Sequence, residues 1–230
     1  IFGYGEDAIK EVLSYEFEGG KCPISSPLFS GMYINAVKHY PAISSKKYEI
    51  QYTNNDFMNE HDVVSLELAR GCKFKCNYCN YPFIGFKEDT STEEELLYRE
   101  LNENYQKWGI TQYIIADDTY NDRIEKMQKL SNVVKRLDFE PNFSCFIRAD
   151  LLAVNKDLVK VLTESRGWGH YYGIETLNQT AGRAIGKGMD PERIKDALLH
   201  TREYMLSNIQ AYRGTVGLIA GLPGEDIKSL

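Results

Sequence analysis

From residue 63 onward, short apolar runs alternate with stretches whose apolar residues recur at helical spacing. Val63–Leu68 reads as a strand. Thr92–Trp108 reads as a helix: Leu97, Leu101, Tyr105 and Trp108 share one face, Thr92 and Glu95 have the spacing of a capping box, and Gly109 stops it. Tyr113–Ala116 is a second strand. Asp122–Leu137 follows as a helix capped by Asn121, with Ile124, Met127, Leu130, Val134 and Leu137 as its stripe. Phe143–Ile147 is a third strand, Lys156–Ser165 a helix after Asn155, and Tyr171–Ile174 a fourth strand. Pro191–Leu206 is a helix with Asp190 as cap and proline at its first position, and Thr215–Ala220 is a fifth strand. Strands alternating with helices favour right-handed βαβ units and a parallel sheet, so the fold class is α/β.

Residues 62–230 carry this rhythm. Residues 1–20 read as a glycine turn entering a short helix, with Ile9, Val12 and Leu13 apolar and Gly19-Gly20 ending it. Residues 21–61 are rich in Ser, Pro, Asn and Tyr without sustained period, a linker with one short strand at Tyr48–Tyr52. The chain opens at Ile1 rather than Met and stops at Leu230 soon after a turn, so it is expected to be a fragment.

Composition narrows the function classes. With 43% hydrophobic and 26% charged residues, the chain is an ordinary globular one. Its formal charge of -6 argues against broad contact with nucleic-acid backbones, an objection that a local basic groove survives. No apolar run approaches the roughly 20 residues of a membrane span, and no secretory signal opens the chain. A cytoplasmic protein is expected.

The five cysteines are distributed unevenly. Cys72, Cys76 and Cys79 fall within one loop after the first strand, whereas Cys22 and Cys145 are isolated and suit small apolar filling. The spacing C-x3-C-x2-C is a poor disulfide framework and a good metal pattern in a reducing compartment. Three thiolates on one loop can each hold one iron of a cubane cluster, leaving the fourth iron open to an outside ligand. Lys73 and Lys75 would ease thiolate formation. A structural zinc usually takes four Cys/His ligands, and no such pair follows at finger-like distance. Polar residues also gather after the other strand ends: Asp117 and Asp118, Arg148, Glu175, and Glu225. In parallel α/β folds that edge is where ligands bind.

The loop Gly71-Cys72-Lys73-Phe74-Lys75-Cys76-Asn77-Tyr78-Cys79 resembles that of the radical S-adenosylmethionine superfamily, and the preceding Leu-Glu-Leu-Ala-Arg-Gly is similar to its entry in the cobalamin-associated and methylthiotransferase-like branches. Four later segments resemble the family in the expected order. They are Ile115–Thr119, Phe146–Asp150, Gly173–Thr176 with Ile185–Gly188, and Gly217–Glu225 with its G-x-I-x-G-x-P-G-E pattern. The resemblance covers about residues 62–230. It implies a partial, open (βα)6-type TIM-like barrel whose sixth strand lies beyond Leu230.

It further implies a [4Fe–4S] cluster on Cys72, Cys76 and Cys79, with S-adenosyl-L-methionine chelating the open iron. Reduction by a flavodoxin- or ferredoxin-type donor would cleave the sulfonium to methionine and a 5′-deoxyadenosyl radical. Tyr78 would lie near the adenine through its backbone. Asp117 and Asp118 stand where the family contacts the methionine amino group, in place of its usual Gly-Gly-Glu, although the pair also suits a turn cap. Arg148 would pair with the methionine carboxylate, or structurally with Asp150 or Glu175. Glu175 would take ribose hydroxyls, and Gly217, Ile219 and Gly221 would form a flat surface against adenine. Methylation, methylthiolation, rearrangement and oxidation share this core; the branch resemblance favours methyl or methylthio transfer. Gly3-Tyr4-Gly5-Glu6 and the helix after it are similar to the end of a flavodoxin-like cobalamin domain, but the Asp-x-His-x-x-Gly cobalamin signature is absent from this sequence. The competing classes are a non-catalytic iron–sulfur electron carrier, which calls for a fourth protein ligand, and a zinc-stabilised binding module.

Overall fold

The structure is a computed structural model and describes residues 9–10, 13–14, 50–81 and 91–226. Five strands, β1 (Val63–Leu66), β2 (Gln112–Ile115), β3 (Asn142–Ile147), β4 (Gly167–Glu175) and β5 (Arg213–Leu218), form one sheet in the order of the chain. Every neighbouring pair is parallel. Helix α1 (Glu94–Trp108) joins β1 to β2 and α2 (Ile124–Val134) joins β2 to β3. The short α3 (Ala149–Val154) and α4 (Leu158–Glu164) lead to β4, and α5 (Gln179–Ala184) and α6 (Pro191–Asn208) lead to β5. When each crossover of one hand ends on the adjacent strand, all helices cover one face and the sheet curls around the other. The result is a partial, open barrel wall.

The strands alternate accordingly. Val64 and Leu66, Tyr113 and Ile115, and Phe143, Cys145 and Ile147 are buried against Leu97, Leu101, Met127, Leu130 and Leu162 of the helices. On the other face Ser65, Phe146 and Tyr171 remain exposed. Beneath α6, a buried chain runs from His170 Nδ1 through the Tyr172 hydroxyl (2.7 Å) to the Tyr212 hydroxyl (2.9 Å). Burial pushes the His170 imidazole down to about 3, so it stays neutral there.

Several elements differ from the sequence expectation. Glu93, not Thr92, precedes the first turn of α1, and it makes no side-chain cap. Thr92 is buried and its hydroxyl donates to the Glu67 carbonyl (3.1 Å), while Glu95 turns outward to Arg136 (2.7 Å). Helix α2 starts at Ile124 and ends at Val134; Asn121 lies in a preceding 3-10 turn, Tyr120–Asp122. Strand β4 begins four residues before Tyr171, because Gly169 lets it press against β3: a Cβ there would meet Ser144 Oγ at 2.5 Å. Helices α3 and α5 were not expected, and β5 is shifted two residues toward the N-terminus. Residues 50–52 form no strand and lead into a 3-10 turn, Asn54–Asp56, boxed by Thr53 and Asp56. In the expected N-terminal helix, residues 9–10 and 13–14 are helical; the rest of it, most of the linker and Cys22 lie outside the described residues.

Candidate functional site

The loop that carries the cysteines leaves the C-terminal end of β1 and is tied down at both sides. The Ala69 amide donates to Asp117 Oδ1 (2.8 Å), and the Lys73 ammonium reaches the Asp122 carbonyl. Farther on, the Asn77 amide donates to the Ile185 carbonyl (3.0 Å) and Asn77 Nδ2 to that of Ala184 (2.8 Å), at the end of α5. The loop thus bridges the C-terminal ends of β2 and β4.

Its three cysteines are free thiols, each half-buried, and all line one cavity of about 200 Å³ with Asp118, Arg148, Glu175 and Lys187. Phe146 and Tyr171 meet edge to face at 5.4 Å along the floor of the same cavity. The Thr119 hydroxyl lies 3.6 Å from Cys72 Sγ, and the Tyr81 amide donates to Cys79 Sγ (3.4 Å). Among the described residues, no three His, Cys, Asp or Glu side chains converge on a point that would hold a single metal ion.

Of the residues singled out in the sequence, the cavity gathers the three cysteines, Tyr78, Asp118, Arg148 and Glu175. The Tyr78 hydroxyl donates to Glu175 Oε1 (2.9 Å), and burial together with that bond pushes the phenol well above its ordinary range. Glu175 ends β4 with φ 68°, a left-handed backbone that strains any residue with a Cβ. Lys187 fastens it, reaching Oε1 at 3.0 Å and the Gly173 carbonyl at 2.6 Å. A Cβ at Gly173 would meet Glu175 Oε1 at 2.8 Å, so a side chain there would push that carboxylate aside. Burial also raises the Asp118 carboxyl, against hydrogen bonding from Tyr81.

Arg148 spends its fork on two partners. Nε and Nη2 donate to the two oxygens of Asp150 (3.0 and 2.5 Å), and Nη1 donates to Cys76 Sγ (3.2 Å). Its guanidinium lies 3.8 Å from the centroid of Phe74. Burial opposes its charge, but Asp150 and Cys76 more than offset that and hold it firmly cationic.

The other candidates stand elsewhere. Asp117 does not line the cavity; it is buried with Lys126 at 3.0 Å, which also meets Asp122 at 2.8 Å. Burial pushes its carboxyl up to about 6, against the pull of Lys126. Gly217 pairs with Gly173 across the sheet, and the Tyr171 hydroxyl sits 2.7 Å from where its Cβ would be. The Ile219 amide donates to the Glu175 carbonyl (2.8 Å). Gly221 has φ 83°, and its amide and that of Leu222 donate to Glu225 Oε2, both at 3.0 Å. Glu225 in turn accepts from the Thr176 hydroxyl (2.6 Å), which locks the Gly-Leu-Pro-Gly-Glu turn to the end of β4.

The sequence assigned no role to Lys126 or Lys187, and a different one to Asn121. Lys126 had a readable signal, its i,i+4 spacing from Asp122. Asn121 was read as a helix cap, but its side chain clasps the Arg148 backbone from both sides (2.9 Å each).

A parallel barrel wall with a cysteine-lined cavity at the C-terminal ends of its strands is the architecture of an enzyme class that works at that edge. The sequence profile of the Radical SAM superfamily matches residues 66–230, and the chain belongs to that superfamily. Membership implies a [4Fe–4S] cluster and S-adenosylmethionine as cofactors. The fold is similar to that of the radical S-adenosylmethionine methyltransferase TsrM from Kitasatospora setae, solved with tryptophan and a SAM analogue (TM-score 0.69, 15% identity, 100% of this chain and 47% of that one). It is also similar to the cobalamin-dependent radical enzyme OxsB (TM-score 0.56, 17% identity, 68% of this chain and 24% of that one). The chain thus spans less than half the length of either. A search of curated protein sequences finds no match. No helix among the described residues is long and apolar enough to cross a membrane.

Proposed function

We propose that Cys72, Cys76 and Cys79 hold the cluster and that the cavity beside them receives S-adenosylmethionine, in a protein that transfers a methyl or methylthio group. The observation that carries this reading is the cavity: three free thiols open into it together with cations and carboxylates suited to a zwitterionic amino acid. The donor set fits a cluster. Thiolates that each take a different iron stand apart, whereas the ligands of one zinc ion converge. When bound, the cluster would supply the electron that splits the sulfonium, drawn from a donor of flavodoxin or ferredoxin type. The chain's own residues do the positioning. Asp118 and Glu175 present carboxylates to amino and hydroxyl groups, while Phe146 and Tyr171 supply an apolar floor.

Transfer of a methyl group is supported by the fold likeness to TsrM, a radical methyltransferase, and methylthio transfer by the sequence resemblance alone. Both TsrM and OxsB are described with cobalamin. A cobalamin role here belongs to the proposal only for a longer protein, because this chain has no Asp-x-His-x-x-Gly signature. An electron carrier would not need the Glu175–Lys187 fastening or the cavity, and both favour the enzyme.

The test is anaerobic reconstitution with iron and sulfide, reduction in the presence of S-adenosylmethionine, and assay for 5′-deoxyadenosine and methionine. Cys76→Ala should lose the cluster absorbance and the product together. A folded, iron-loaded wild-type protein that yields neither cleavage nor methyl transfer would sink the enzyme reading.

A further inference from the structure

We infer that Arg148 is a positioning residue that sets how readily the cluster accepts an electron, an inference that rests on Cys76 being one of its ligands. The guanidinium is immobilised from every side. Its Nε and Nη2 are bound to both oxygens of Asp150 (3.0 and 2.5 Å). Its face lies on Phe74, which belongs to the cysteine loop itself. Its main chain is clasped at both the amide and the carbonyl by the buried Asn121 (2.9 Å each). Only 9% of the side chain is exposed. What this scaffold delivers is one N–H aimed at Cys76 Sγ from 3.2 Å.

A hydrogen bond and a positive charge beside a ligating sulfur stabilise whichever oxidation state carries more negative charge, and that is the reduced cluster. Arg148 therefore raises the reduction potential. The fork that would grip a carboxylate in bidentate fashion is already closed on Asp150, so a role confined to the methionine carboxylate leaves the contact with Cys76 unexplained. Asp150 offsets part of that charge, and an asparagine in its place keeps a side-chain oxygen to hold the guanidinium while removing the negative charge. Removing Arg148 and neutralising Asp150 must then shift the potential in opposite directions.

The experiment uses the chain reconstituted anaerobically, first with iron and acid-labile sulfide counted. It is then titrated with dithionite and followed by electron paramagnetic resonance, without S-adenosylmethionine, so that no substrate carboxylate contributes. Arg148→Gln should load the cluster and show a more negative midpoint. Arg148→Lys, which keeps the charge but not the fork, should fall between it and wild type. Asp150→Asn should show a more positive midpoint. A wild-type midpoint in an iron-loaded Arg148→Gln, or shifts of one sign in both variants, overturns the inference. If Arg148→Gln fails to fold, Asp150→Asn decides: a positive shift supports the inference, and no shift or a negative one overturns it. Wild-type protein that takes up no iron overturns the ligand assignment itself, and the iron count reveals that before any titration.

Discussion

Lys126 stands between two buried carboxylates. Its side chain is 1% exposed, and it meets Asp117 at 3.0 Å, Asp122 at 2.8 Å and the Thr119 carbonyl at 2.8 Å. Both residues hold the cysteine loop, since the Asp117 carboxylate accepts from the Ala69 amide and the Asp122 main-chain carbonyl takes the Lys73 ammonium. Replacing one partner of such a set leaves the others as uncompensated charges, which costs more than the pair itself contributes. Lys126→Met is expected to destabilise the fold by about 3–5 kcal/mol, read from urea unfolding. Adding Asp122→Asn should restore part of that loss. A Lys126→Met protein as stable as wild type would mean that the carboxylates reach water or are neutral. In the sequence, Lys126 was one more polar residue beside the apolar stripe. Its burial is decided by the 3-10 turn at Tyr120–Asp122, which no local pattern announced. Thr92 failed in the same way: it has a cap's chemistry, but the Glu67 carbonyl was the nearer unsatisfied group. That the cysteines, Arg148 and Glu175 meet at one edge was legible because strand-end placement follows from topology, not from a particular side-chain contact.

At the scale of elements, β3 and β4 show how a strand can hide from its own sequence. Gly167-Trp168-Gly169 lacks the β-branched run expected of a buried strand, so the strand was read from Tyr171 only. The register pairs Ser144 with Gly169, and the missing side chain makes room for the Ser144 hydroxyl. Gly169→Ala would place its Cβ 2.5 Å from Ser144 Oγ and 3.2 Å from its Cβ. Serine is too short to move aside without its backbone, so overpacking of about 1–3 kcal/mol is expected. The double variant Gly169→Ala/Ser144→Ala should recover a large share of that, because the two sites are in direct contact and their effects cannot add. Thermal unfolding of the four proteins of the cycle measures the coupling; strictly additive losses would contradict the register. The same close approach aligns Phe146 beside Tyr171 on the cavity floor, so the cycle also reports on the geometry of the site.

At the scale of the whole molecule, a parallel sheet in chain order has two ends, and they are treated differently. The β1 end is the one from which the cysteine loop departs. Among the described residues, β5 pairs only with β4, so its other edge offers unpaired backbone groups. Val216 is 46% and Leu218 64% exposed there, and Leu206 and Tyr212 line a groove alongside Val216. An apolar edge with free amides and carbonyls is a template for pairing with another chain, the hazard that natural sheets blunt with charge or closure. The 230-residue chain on its own is therefore expected to self-associate at micromolar concentration, visible as a concentration-dependent mass by light scattering. Val216→Lys/Leu218→Lys should suppress it, since lysine on an edge strand opposes edge-to-edge pairing. Both positions lie outside the cysteine cavity, so iron uptake on reconstitution should stay as in wild type. If the lysine variant associates as before, the association arises at another surface.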